Sequence, residues 1–337
     1  MLQLKNNTPF AANLALFPNQ QGVDTLYILV CATFKIGRKW MLVDEQYPPL
    51  AEDVYWGDDP QTSSLRYASD YHLGKPQTDI IMLGHAWAPE GKKLSSRDVS
   101  LRVGQVSKTV RVFGERQWQN GSISSPQPFE SMPLVYERAF GGMHQHEDQI
   151  VSAELRNLVG CGYLGKQKAQ VLDGKPLPNL EDPRHLLQRA GDIVPPACFG
   201  AISPNWYPRL TFAGTYDEQW QTRRAPYLPK DFDSRFFNVA HPDLVYPGYV
   251  QGGEPVRING AHPGGDIQFN LPIIGLSCKV DIASRLETPP FNLETVLIDT
   301  DAWEIRFSWK AALSCDKSAL KIREVILNLT QQRQQAA

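Results

Sequence analysis

The sequence has no apolar run near the roughly 18 consecutive residues that a membrane-spanning helix needs. It has no Lys/Arg run longer than a dipeptide, and its net charge is only −2. Neither a nucleic-acid backbone nor an anionic membrane surface would find an electrostatic footprint, so no nucleic-acid binding and no membrane insertion are expected. The opening MLQLKNNTPF breaks its apolar residues with Asn and Pro, which leaves no apolar core for a signal peptide. A cytoplasmic protein is expected. Cysteine is sparse: the five residues (Cys31, Cys161, Cys198, Cys278, Cys315) are scattered, odd in number and never in a CxxC spacing. That excludes the usual disulfide framework and zinc knuckle and reads as reduced core or loop thiols. There is no GxSxG elbow, and the Gly-Gly pairs at 141–142, 252–253 and 264–265 match neither a P-loop nor a dinucleotide fingerprint. No cofactor is implied.

What is present is the composition of a soluble globular chain, 337 residues long with 42% hydrophobic and 21% charged residues. Residues 25–36 alternate Leu26, Ile28, Val30, Ala32, Phe34 and Ile36, which predicts a long strand turning at 37–39 into Trp40–Val43. Residues 79–89 form another run of strand length. Val99, Leu101 and Val103 face Val110 and Val112 across a Gly104-Gln105 turn, a second hairpin. Near the C-terminus, 277–282 alternates, and 294–298 leads through Asp299-Thr300-Asp301 into Trp303, Ile305, Phe307 and Trp309, the clearest hairpin in the chain. Helices are expected at about 181–190 and 217–224; residues 318–329 fit strand and helix equally.

The fold class is therefore mainly β, with long irregular loops and a few short helices: a β-sandwich-like body whose N- and C-terminal strands share sheets. One domain is expected over 1–330, strand-rich over 1–120, loop-rich over 121–265 and strand-forming again over 266–330, with a frayed tail at 331–337. Two separate β domains are the alternative.

The segment 198–254 is the most particular part of the chain. It interleaves aromatic rings with Arg209, Arg223, Arg224 and Arg235 and with Asp217, Asp231, Asp233 and Asp243, in almost no regular apolar period. Each ring gains roughly 1.5–3 kcal/mol from burial, so they must pack on the chain or on a partner. Guanidinium groups suit both carboxylates and ring faces. The expected framework or partner-binding residues are Trp206, Arg209, Tyr216, Asp217, Trp220, Arg223, Arg224, Asp231, Asp233, Arg235, Phe237 and Asn238. Catalytic readings are weaker. His144-Gln145-His146-Glu147-Asp148 has metal-ligand chemistry but reads better as a polar loop. Cys161 and Cys198 are thiols in glycine or proline contexts, and Asp231 with Asp233 resembles a carboxylate pair with arginines close by to neutralise it. Neither a metal nor a catalytic set is assigned; a hydrolase built from carboxylates and an arginine over 209–243 is the alternative.

One resemblance runs through these residues. Ser63–Asp70 (SSLRYASD), GHAWAP at 84–89, Glu137–Gly142, Gly160–Gly162, Leu177–Glu181, Phe199-Gly200, Trp206 with Arg209, Gly214–Asp217 with Trp220, Arg224–Pro226, Leu228-Pro229, Asp231–Asp233, Phe236–Asn238, Pro242–Leu244 and Gly252–Glu254 resemble the motif series of the family called domain of unknown function 2169. The likeness spans roughly 10–310. It implies a bacterial type VI secretion adaptor or chaperone, which binds a cognate effector, commonly one carrying a PAAR domain, and helps load it on the VgrG spike. It carries no catalytic residue onto this chain. Abundant Trp, Tyr and Arg, the residues that dominate binding hot spots, agree with that implication.

Overall fold

The computed structural model describes residues 2–37, 39–146, 149–165 and 172–333. Its largest sheet runs in the order Val245–Tyr246, Thr78–Leu83, Asn292–Asp299, Glu304–Ser314, Asp24–Lys35, Ala11–Pro18, with Met41–Leu42 paired to Asp24–Lys35 off that path. Thr78–Leu83 and Asn292–Asp299 are parallel, and the Asp24–Lys35 strand lies antiparallel against Glu304–Ser314. Strands from the two ends of the chain thus share one sheet. A second sheet orders Leu180–Glu181, Val106–Phe113, Ser96–Val103, Pro255–Asn259 and Ile267–Asn270, and a third orders Gln3–Asn6, Ile322–Arg333, Ile273–Ile282 and Arg285–Glu287. The fold is mainly β, with shared sheets.

Strand formation follows side-chain periodicity. Val99, Leu101, Val103, Val110 and Val112 are fully buried on one face of the expected hairpin. They join Leu26, Ile28, Val30, Phe34, Ile80, Val296, Ile305 and Phe307 of the large sheet, and Cys278, Val280, Val325 and Leu327 of the third, in one contiguous core. The strand Asp24–Lys35 is buried on both faces, beyond what its alternation requires. On the second face Tyr27 stacks on Phe17 at 4.2 Å, and the Gln46 amide bonds both backbone groups of Thr33. A smaller cluster forms around Trp118, Phe140, Leu177 and Leu187.

Four expectations change. The 79–89 run is two strands: Gly84 takes φ +139°, and a Cβ there would collide with the Thr300 hydroxyl, so the chain steps from Thr78–Leu83 to His85–Trp87, paired with Ser131–Pro133. No helix forms over 181–190. Glu181 is instead a buried strand residue opposite Arg111, and its carboxylate accepts from Arg116 and from the backbone N–H of Leu187, which holds 182–187 in turns. Residues 318–329 divide between a 3₁₀ turn, Asp316–Lys321, and the strand Ile322–Arg333. That strand pairs Gln331, Gln332 and Arg333 with Gly275, Ile274 and Ile273, so the part of the expected frayed tail within the described residues is sheet. The helix Glu218–Arg223 forms where expected, with Asp217 as its N-cap.

All five cysteines are free thiols. Burial pushes Cys31 and Cys198 up to about 12 and Cys161 and Cys278 up to about 11. Above about pH 9 the unfolded chain releases these protons while the folded chain keeps them. The folded state then binds more protons, and stability falls as pH rises through that window, by on the order of 1.4 kcal/mol per thiol per pH unit. Urea unfolding in reductant at about pH 8 and about pH 10 should show this loss, and a Cys31→Ala/Cys198→Ala variant should show a shallower one. An equal slope in both proteins would contradict the assignment.

Candidate partner-binding block and its buried anchor

The 198–254 segment contains one short helix, three 3₁₀ turns and a two-residue strand, and is otherwise loop. Buried backbone groups without ladder partners need turns, side chains or water, and the part that falls to side chains explains what several of its charged residues do. At its centre is Asp79, fully buried on the Thr78–Leu83 strand. Asp79 Oδ2 accepts from the backbone N–H of Val239 at 2.8 Å and from Lys75 Nζ at 2.7 Å. Oδ1 accepts from Asn238 Nδ2 at 3.0 Å and from the Ala240 N–H at 3.2 Å. Asn238 also donates to the Gln77 carbonyl at 2.9 Å. Two further ties lie beside it: Thr78 Oγ1 accepts from the Val250 N–H at 3.0 Å, and the Tyr249 hydroxyl donates to the Lys75 carbonyl at 2.6 Å.

The anchor belongs to a larger buried network. Lys75 Nζ also donates to Thr295 Oγ1, and Lys75 N–H donates to Glu294 Oε1 at 3.0 Å. Glu294 Oε2 lies 3.2 Å from Lys310 Nζ, which in turn donates to the His72 carbonyl at 2.9 Å. Burial raises the Glu294 carboxyl and pushes the Lys310 ammonium down to about 8. Burial, with Lys310 and Lys75 close by, holds His72 neutral, far below the ordinary imidazole value. Its ring stacks on Phe237 at 5.0 Å. Two ammonium and two carboxylate groups therefore balance inside the protein, the arrangement that burial demands.

The expected site residues divide by direction. Trp206 is buried, edge-on to Tyr136 at 5.5 Å. Arg209 is buried as well; its Nε donates to the Phe236 carbonyl at 2.9 Å and its Nη1 to the Ile202 carbonyl at 2.6 Å, and burial pushes it down to about 10. Arg224 donates to the carbonyls of Leu228 and Gln20, tying the block to the turn after Ala11–Pro18. Phe237 and Asn238 face the anchor. Outward lie Tyr216, 52% exposed and edge-on to Trp220 at 4.7 Å, and Arg223 at the end of the helix. Trp220 is half-buried, its Nε1 donating to the Tyr227 carbonyl, and the Tyr227 ring packs over Gly22. Asp231 is exposed and accepts from the N–H and hydroxyl of Thr215. Arg235 lies over the Phe212 ring at 4.3 Å and bonds Asp233 at 2.6 Å.

The arginines and aspartates interleaved in this segment, which could have neutralised one another, for the most part do not. Only the Arg235–Asp233 pair forms; Asp217 caps the helix through Trp220 N–H, and Asp243 bonds Lys108 and Arg184 instead. A guanidinium carries five donors, and in a loop rich in unpaired carbonyls Arg209 and Arg224 serve the backbone. Asp231 and Asp233 are each occupied locally. The Cys198 thiol donates to the Leu134 carbonyl in the core. The strand Met143–His146 forms a hairpin with Gln149–Ala153, while the His146 side chain, Glu147 and Asp148 lie outside the described residues. Among the described residues no His/Cys/Asp/Glu cluster could hold a metal ion, and no helix is long and apolar enough to cross a membrane.

Lys75, Asp79, Glu294 and Lys310 escaped the sequence reading. The available signal was a charge at the head of DIIML and another inside FSWKAAL. Asp79→Ala strands a buried ammonium and three N–H donors, so it should cost about 3–5 kcal/mol in urea unfolding. Asp79→Asn should fail to restore stability, because one of its two amide positions presents N–H to donors. A loss below about 1 kcal/mol would remove Asp79 from this role.

No curated protein and no solved structure matches the chain. A family model described as an uncharacterized protein conserved in bacteria, DUF2169, matches residues 21–310, which takes in the anchor, the whole 198–254 block and most of the large sheet that carries them, its Ala11–Pro18 strand excepted. On that match the chain belongs to the DUF2169 family.

Proposed function

We propose that this protein is a cytoplasmic adaptor that binds a type VI secretion effector, one carrying a PAAR domain, stabilises it and promotes its loading onto the VgrG spike. The observation that carries the reading is the outward face of the central block. Tyr216, Trp220, Tyr227 and Arg223 present rings and a guanidinium at the surface of a segment tied down from within by Asp79, Arg209 and Arg224. Rigid, partly exposed Tyr, Trp and Arg are the side chains that carry most binding energy at protein interfaces. The partner is the effector, through its PAAR domain or the adjacent N-terminal region; the spike is a second partner.

The reading makes surface and framework separable. A Tyr216→Ala/Arg223→Ala variant should unfold within about 0.5 kcal/mol of the parent, since neither side chain is buried. Co-purified with a PAAR-domain effector that the parent captures, the variant should bind at least about tenfold more weakly, the loss of one hot-spot contact. Native affinity in this variant would sink the assignment of the surface. An effector that is soluble and delivered without this chain would sink the adaptor reading itself.

A further inference from the structure

The SSLRYASD segment is not absorbed by the central block. Its Arg66 and Tyr67 line a cavity of about 360 Å³ against the large sheet, within the size range of small-ligand sites. Most of the charges around it are spent: Glu304 bonds Lys35 at 2.6 Å, and Arg306 bonds Asp70 at 2.9 Å. Three groups keep an unfilled position. Thr33, 1% exposed, has a hydroxyl with no hydrogen-bond partner. The Arg66 guanidinium, beside Trp56 at 4.5 Å and Tyr67 at 4.9 Å, meets the Tyr67 hydroxyl and lies within electrostatic reach of Asp299 without forming an ion pair, and its buried Nε has no partner. Asp299 takes the N–H groups of Asp301 and Ala302 on Oδ1 alone, which leaves Oδ2 open. Leu50 and Leu297 supply apolar wall.

An unpartnered buried donor or acceptor costs about 1–3 kcal/mol, so Thr33 Oγ1 and Arg66 Nε on one cavity mark a place where a ligand's polar atoms belong. Together Arg66, Asp299 and Thr33 offer one cation, one anion and one hydroxyl to the cavity. A simple anion would satisfy Arg66 and face Asp299; a simple cation would do the reverse. We propose that this cavity binds a zwitterion of amino-acid size, with its carboxylate on Arg66 and Thr33, its ammonium on Asp299 and an apolar side chain over Leu50 and Leu297. The inference is independent of the partner-binding reading. The same chemistry can come from a free amino acid or from an acidic and a basic side chain on a protein segment.

Calorimetric titration with L-phenylalanine tests it. The parent protein should bind, and N-acetyl-L-phenylalanine and L-phenylalaninamide, each lacking one charge, should bind at least about tenfold more weakly. Arg66→Gln and Asp299→Asn should lose the same factor, and Thr33→Val, which keeps the side-chain shape, should weaken binding without lowering thermal stability. Tighter binding of the capped peptide acetyl-Glu-Leu-Lys-amide than of L-phenylalanine would identify a protein segment as the source; the reverse order identifies a free amino acid. The proposal is overturned if neither probe binds at millimolar concentration, if the acetylated or amidated compound binds as well as the amino acid, or if all three variants bind like the parent.

Discussion

A carboxylate with no access to water needs donors on every side, and Asp79 finds them by drawing the chain at 238–240 onto the large sheet. Removing a carboxylate from water costs several kcal/mol, which only close, well-directed donors can offset. Two backbone N–H groups, the Asn238 amide and the Lys75 ammonium meet that need together. The requirement is mutual: the loop has no ladder to satisfy Val239 and Ala240, and among the described residues Asp79 is the carboxylate in direct ion-pair contact with the Lys75 ammonium. Neither side is stable as it stands without the other.

From that node the rest of the block follows. Arg209 and Arg224 take carbonyls that a loop cannot bond to itself, His72 is kept neutral and stacked on Phe237, and Glu294 and Lys310 close the charge balance beneath. The residues that remain, Tyr216, Trp220, Arg223 and Arg235, are free to point outward because the inward work is done by others. A surface of this kind is pre-organised, so a partner need not bear the entropy of ordering it. The same stretch of chain that supplies Lys75 and His72 supplies Asp70 and Arg66 a few residues earlier, which joins the anchor to the cavity along one connection.

Much of the sheet was legible because alternation is a local signal. Leu26 to Ile36, Val99 to Val112 and Ile305 to Trp309 declare their faces within a few residues, and the Asp217 cap does the same for the helix. What stayed hidden depends on distance along the chain. Asp79 reads as the polar start of a strand until Val239 and Ala240 arrive from 160 and 161 residues away. The helix expected at 181–190 is lost because Glu181, a good first-turn residue by itself, is captured by Arg116. The matched arginines and aspartates of the block suggested mutual pairing, since composition counts charges and does not count unpaired carbonyls. The motif SSLRYASD was visible, but nothing in it shows that Thr33 and Asp299 complete its surroundings.

The central claim is that a single buried carboxylate holds the aromatic–arginine block on the sheet. Amide hydrogen exchange in the Asp79→Asn variant tests it most directly, because opening can be read segment by segment. The account predicts faster exchange concentrated at 209–250, above all at Val239, Ala240 and Val250, with the amides of Ser96–Val103, Val106–Phe113 and Ile322–Arg333 still protected. Parent-like protection across 209–250 in a folded variant, or loosening that spreads evenly through all three sheets, would contradict it.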